Sequence, residues 1–112
     1  MRPTFHLVPA AAWASTDRAV PYEASSLASE GFIHCTDGVD ELGATFDRHY
    51  ASDPRSFVAL TLDLDALDVL WRFDDPGSSY PHIYGAIAPA AIFEIARVER
   101  GLDGRFAGLQ PG

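Results

Sequence analysis

Nine consecutive residues, Ser29-Glu30-Gly31-Phe32-Ile33-His34-Cys35-Thr36-Asp37, constrain the fold of this chain more than any other window. A short Gly-led apolar run that ends in polar residues reads as a buried strand emerging at a site. Alternation along the predicted strand, Gly31 to Cys35, sets Phe32, His34 and Thr36 on one face and Gly31, Ile33 and Cys35 on the other. His34 and Cys35 therefore point apart, and a regular strand cannot aim both at one ion. Cys35 reads as a small buried filler.

The flanking sequence supplies partners for that strand. Thr4 to Val8 predicts a first strand with Thr4, His6 and Val8 on one face, and Pro9 opens a helix from Ala10 to about Thr16 anchored by Trp13. Val20-Pro21-Tyr22 is a brief extended piece, and Ser25 to Ser29 a small-residue connector with a helical turn through Leu27. Asp37 caps a helix that starts at Gly38 or Val39, and Leu42, Thr45, Phe46, His49 and Tyr50 carry its spacing through Ala51. Ser56 to Leu64 is the clearest strand, with Phe57, Ala59 and Thr61 alternating against Val58, Leu60 and Leu62. Asp65 to Leu67 makes a turn, Val69 to Phe73 a strand and Asp74 to Ser79 a loop of turn-forming residues. Tyr80 to Ile87 is extended or irregular, Ile92 to Val98 is the last good strand, and Arg105-Phe106 in the Gly-rich tail pairs with the sheet. Strands with two helices near the N-terminal half predict an α+β fold with a mostly antiparallel sheet.

The chain of 112 residues, 47% hydrophobic, suits one domain over residues 1–112 with one core and one cleft. Its formal net charge of -8, with eight Arg and no Lys, makes nucleic acid a poor partner. A single Cys fits a reducing compartment. With no signal peptide and no stretch long enough to span a membrane, the expected location is the cytoplasm.

Four groupings could carry chemistry. His6, His34 and His82 each lie in or beside an extended segment. They either converge from one sheet face or are three unrelated histidines at the edge of a core. A three-histidine metal site is geometrically possible, but no His-x-x-x-His, Cys-x-x-Cys or His-x-His spacing accompanies it, and no metal is expected. Ser29-Glu30 and Thr36-Asp37 bracket the strand with hydroxyls and carboxylates suited to ribose or phosphate, or to ordinary turns. Tyr80, His82 and Tyr84 share a face, with Gly85 allowing close backbone approach, an arrangement that suits a planar ring. Trp13, Trp71, Phe46, Phe57, Phe73 and Phe93 read as core. Asp63, Asp65, Asp68, Asp74 and Asp75 lack calcium-loop spacing and read as a solvated acidic face.

Phe-His-Leu-Val-Pro, then Ser-Leu-Ala-Ser-Glu-Gly-Phe-Ile-His-Cys-Thr, Tyr-Pro-His-Ile-Tyr-Gly and a final Gly-Leu-Asp-Gly-Arg-Phe resemble the DUF952 family of small bacterial and plant proteins of unknown function. The resemblance implies a link to the ADP-ribosyltransferase superfamily: a split, mostly antiparallel sheet around a cleft for NAD or an ADP-ribose-like nucleotide, bound as substrate or ligand. It implies His6 on the ribose, His34 and its neighbours beside the nicotinamide or ribose, and His82 and Tyr84 closing the pocket. The mechanism expected on that frame has His6 and Ser29 fixing the ribose, His34 as acid/base or electrostatic stabiliser, His82 and Tyr84 orienting the ring, and Glu30, Phe32, Thr36 and Gly85 as further ligand-binding positions. ADP-ribosyl or phospho-transfer, or NAD-glycohydrolase chemistry, is the implied activity. Many members of that superfamily need a Glu on a late strand, where this chain offers Glu94 without a matching motif. The alternatives are a non-catalytic nucleotide-binding module and a histidine-based metallohydrolase.

Overall fold

The computed structural model describes all 112 residues, Met1–Gly112. In chain order the elements are β1 (Pro3–Pro9), α1 (Ala10–Ala14), α2 (Ser25–Glu30), β2 (Ile33–His34), α3 (Val39–Tyr50), β3 (Phe57–Asp63), β4 (Trp71–Arg72), β5 (His82–Ile83), β6 (Ile92–Arg100) and β7 (Phe106–Pro111), with 3-10 turns at Leu64–Ala66 and Pro89–Ala91. A four-stranded sheet has the order β1-β3-β6-β7, and a three-stranded sheet has the order β2-β5-β4. Every strand pair is antiparallel, as the α+β reading expects.

β3 is central in the larger sheet, and Phe57 through Leu62 are all buried. Its two faces meet different neighbours. Val58, Leu60 and Leu62 join Val8, Trp13, Tyr22, Ile33, Cys35, Ile83 and Ile87 in the main core. On the other face Phe57 packs edge-on against Phe46 of α3, with ring centroids 5.5 Å apart. Leu42, Gly43 and Phe46 form the buried stripe of α3, at the i, i+4 spacing that predicts its amphipathic face. Gly43 is small because Phe106 of β7 lies over it: a Cβ there would sit 2.9 Å from the Phe106 ring.

The smaller sheet covers the main core. Ile33 and Ile83 pair across β2 and β5 with no exposed surface, while His34 and His82 pair one residue further on. Arg72 of β4 extends that row, opposite His82. One isolated bridge, Phe5 with Thr36, joins the sheets through Phe5 N–H to Thr36 O at 2.9 Å and Thr36 N–H to Phe5 O at 2.8 Å.

Several expectations give way. The strand predicted for Gly31–Cys35 shrinks to Ile33–His34, because Gly31 takes φ +89° to end α2 in a left-handed cap. The connector at Ser25–Ser29 is a full helix to Glu30. Asp37 does not cap α3, whose first turn has no side-chain cap. Its carboxylate instead accepts from the Arg2 guanidinium at 2.9 Å. Phe93 is 45% exposed, because β6 skips it in pairing with β3, Thr61 facing Glu94 and Leu62 facing Ile92. Phe73, read as core, is likewise exposed at the end of β4, beneath the Arg2 guanidinium.

Candidate functional site

β1 is an edge strand, and one flank of it opens into a cleft of about 1050 Å³ between α2 and α3. Strand geometry decides what that flank offers. Backbone groups of an antiparallel strand alternate in direction, and those of Phe5 point away from β3 toward Thr36. Two residues on, the N–H and C=O of Leu7 point the same way. No chain segment pairs with them, and Leu7 lines the cleft. The side-chain walls are Ser25, Ser26 and Ser29 with Glu30 on α2, Arg48 and His49 on α3, and Arg55, Tyr80, His34 and His82 beyond.

His6 projects from β1 to the core face and is 6% exposed. Nδ1 lies 2.7 Å from the His34 carbonyl oxygen, which only accepts, so Nδ1 carries the proton. Nε2 is then an acceptor, and the Tyr22 hydroxyl donates to it at 3.0 Å. Burial pushes the His6 pKa down to about 4, against the opposing pull of its bond to the His34 backbone. Burial also pushes the Tyr22 phenol up to about 12. His6 is thus a neutral strut with both nitrogens used inside the protein. It positions the His34 backbone and Tyr22, and has no nitrogen left for a ribose.

His34 and His82 sit on the outward face of the smaller sheet. The three histidines therefore do not share a sheet, as convergence from one face requires: His6 belongs to the larger sheet and meets the others through the His34 backbone. The His34 and His82 rings are 5.5 Å apart and nearly perpendicular, at 78°. His34 Nε2 lies 3.1 Å from Glu30 Oε2, one turn back on α2. His82 Nδ1 lies 2.5 Å from Asp74 Oδ2. Asp74 also accepts from the Tyr84 hydroxyl and, at 2.6 Å, from Arg72 Nε. The Tyr84 hydroxyl, Arg72 and His82 hold the Asp74 carboxyl well below the usual carboxylate range. Phe32 stacks on His82 at 4.0 Å and 15°, fixing the ring plane.

His34, His82, Ser29, Glu30 and Thr36 thus line the cleft with His6 at its floor. Phe32 and Tyr84 stand behind His82 as its buttress and its anchor. Gly85 lies elsewhere: a Cβ on it would meet Val69 Cγ1 at 2.7 Å, so its smallness serves packing under β4. The Ser29 hydroxyl turns back to the Ser25 carbonyl at 3.3 Å. Cys35 is 2% exposed and burial pushes its thiol up, in keeping with a packing role. No three His, Cys, Asp or Glu side chains converge in a metal-holding group.

Sequence reasoning missed Asp74, Arg72, Tyr22, Leu7 and the cleft arginines. Asp74 and its neighbours read as turn chemistry, which they also are. Arg48 was legible as the outward side of α3, where its guanidinium reaches the Tyr80 hydroxyl at 3.4 Å, and that hydroxyl donates to Glu41 at 2.9 Å. Glu94, on β6, lies two strands from the open edge and does not line the cleft.

Fold and site together define an α+β protein of two antiparallel sheets, with a histidine- and arginine-bearing cleft at an open sheet edge. The chain belongs to the DUF952 family, proteins of unknown function, whose model matches residues 7–95. Similar solved structures include the crystal structure of protein CC0527 from Caulobacter crescentus, 18% identical with a TM-score of 0.75, covering 94% of this chain and 93% of that one. The solution NMR structure of the same protein is 19% identical, with a TM-score of 0.71 over 94% and 91% of the two chains. No curated protein matches the chain. None of its helices is long and apolar enough to cross a membrane.

Proposed function

We propose that the cleft binds NAD or an ADP-ribose-like nucleotide, in a split sheet of the ADP-ribosyltransferase kind. The observation that carries this reading is the unpaired backbone of Leu7 at the cleft floor. One N–H and one C=O side by side match the acceptor and donor of a carboxamide or of an adenine edge. A cleft of about 1050 Å³ accommodates a dinucleotide-sized ligand. In a chain of net charge -8, Arg48 and His49 of α3 line the cleft, where Arg48 offsets the charge of phosphates, while Arg55 beside them is paired with Asp53. Ser25, Ser26 and Glu30 supply hydroxyl and carboxylate partners for ribose. His34, held by Glu30, stabilises charge or moves a proton beside the sugar, while His6 keeps the His34 backbone in place. Ribosyl transfer or NAD hydrolysis is the chemistry such a site supports.

A non-catalytic binding module is the second reading, favoured by the position of Glu94 outside the cleft, which leaves the late-strand carboxylate away from the ligand. One experiment serves both. Calorimetry with NAD and with ADP-ribose is compared for wild type and Leu7→Pro, which deletes the edge N–H without touching the pairing to β3. Saturable binding that weakens at least tenfold in the variant supports the site. Failure of both ligands to bind wild type at millimolar concentration overturns it. Nicotinamide release measured in the same samples separates enzyme from binding module.

A further inference from the structure

We propose that His34 and His82 form a general acid–base pair that hydrolyses a cyclic phosphodiester bridging neighbouring hydroxyls of a nucleotide's ribose; this rests on the reading of the cleft as a nucleotide site. The two residues are register partners on β2 and β5, and both line the cleft. Their rings stand side by side, 5.5 Å apart and at 78°, so one phosphoryl group can touch both. Each imidazole has one nitrogen tied to a carboxylate and the other without a protein partner. For His82 the tied atom is Nδ1, on Asp74, leaving Nε2. For His34 it is Nε2, on Glu30, leaving Nδ1. The neighbouring groups divide the roles. Asp74 is already offset by Arg72 and bonded by Tyr84, so its charge is shared and His82 serves as the neutral base. Glu30 has no other side-chain partner, so its charge is free to offset an imidazolium at His34, the acid. Phe32, stacked on His82, holds the base in plane.

Displacement at phosphorus needs this pair, because a proton must leave the incoming oxygen as another reaches the outgoing one. His82 Nε2 takes a proton from water as its oxygen attacks phosphorus. One ring P–O bond breaks, and the departing ribose oxygen receives the proton from His34 Nδ1. The product is a phosphomonoester beside a free hydroxyl, and proton exchange with solvent resets both rings. A five-membered cyclic ester carries ring strain that eases this step. It is also a small ligand, which suits an acidic chain that repels a polynucleotide.

The test follows adenosine 2′,3′-cyclic phosphate by phosphorus NMR in EDTA, with wild type, His82→Asn and His34→Gln. Each substitution keeps an amide near the atom that meets the carboxylate and removes the atom that moves the proton. The expected result is conversion to monophosphate by wild type, with a bell-shaped pH profile. Each variant should lose at least about a hundredfold in kcat with little change in KM. His82→Asn should flatten the acidic limb and His34→Gln the alkaline limb. No conversion by a wild-type protein that binds ADP-ribose overturns the acid–base pair and leaves the nucleotide cleft standing. Conversion unaffected by either substitution also overturns it. Conversion by a protein that binds neither NAD nor ADP-ribose supports the pair and overturns the ligand assigned above.

Discussion

His6 gives the sharpest quantitative test of how this protein is held together. The folded protein keeps the imidazole neutral, with its pKa lowered to about 4 by burial, whereas the unfolded chain titrates it near 6.5. Between those values the unfolded state binds a proton that the folded state refuses, so stability falls as pH drops through the window. At about 1.4 kcal/mol for each tenfold change in proton affinity, the displacement corresponds to about 3 kcal/mol, lost between pH 6.5 and pH 4. That is a large share of the stability of a small domain. Asp53 and Asp74, whose carboxyls are held low by Arg55 and by Tyr84 with Arg72, lose their contribution at more acid pH and so leave this window clear. The assay is urea unfolding from pH 7.5 to pH 4 for wild type and His6→Asn, whose amide can still donate to the His34 carbonyl but does not titrate. The variant should be less stable at pH 7.5 by about 1–3 kcal/mol, because the Tyr22 hydroxyl loses its acceptor. Its stability should decline less with acid, so that the two curves approach each other by about 3 kcal/mol. Should the variant fail to fold, NMR titration of the His6 ring in wild type reads the same quantity. Parallel stability curves, or a His6 ring that titrates between pH 6 and pH 7, would refute the buried neutral strut.

Gly85→Ala should destabilise the protein by about 1–3 kcal/mol through the clash with Val69, and Val69→Ala in the same chain should recover part of that loss in thermal unfolding. Phe46→Ala, which empties a fully buried site against Phe57, should cost about 3–5 kcal/mol in chemical denaturation, and a loss below 1 kcal/mol would contradict the packing described. Cys35 should resist a thiol reagent in the native protein at pH 8 and react after unfolding, since both burial and a raised pKa withhold the thiolate, and rapid native labelling would count against that.

The long elements were legible because each repeats its pattern. β1 alternates buried and partly exposed residues over seven positions, β3 is a nearly continuous apolar run buried on both faces, and α3 carries its apolar stripe along twelve. β2, β4 and β5 are two residues each, too short for any period to register. What sets them is non-local: Ile83 is buried between Ile33 and Trp71 from distant parts of the chain. The histidine cluster was half legible for the same reason. Alternation gave the face of each histidine within its own strand, but not that His6 belongs to a different sheet from His34 and His82. Asp37 shows the opposite failure, a clear capping residue claimed instead by Arg2. Asp74 shows a third kind, since a turn-forming Asp and a histidine anchor are the same residue until the fold brings His82 beside it.

The open flank of β1 has a consequence for how this protein behaves at high concentration. Sheet edges recruit foreign strands and so seed polymers. Pro3 and Pro9 close the two ends of β1 with residues that have no N–H to offer, and the Thr36 bridge occupies Phe5. The opening that remains is one residue long, at Leu7. That is enough for the edge of a small planar molecule and too little to register a second chain. The prolines that end β1 thereby leave this edge open at the cleft without giving a second copy a strand's length to pair with along it.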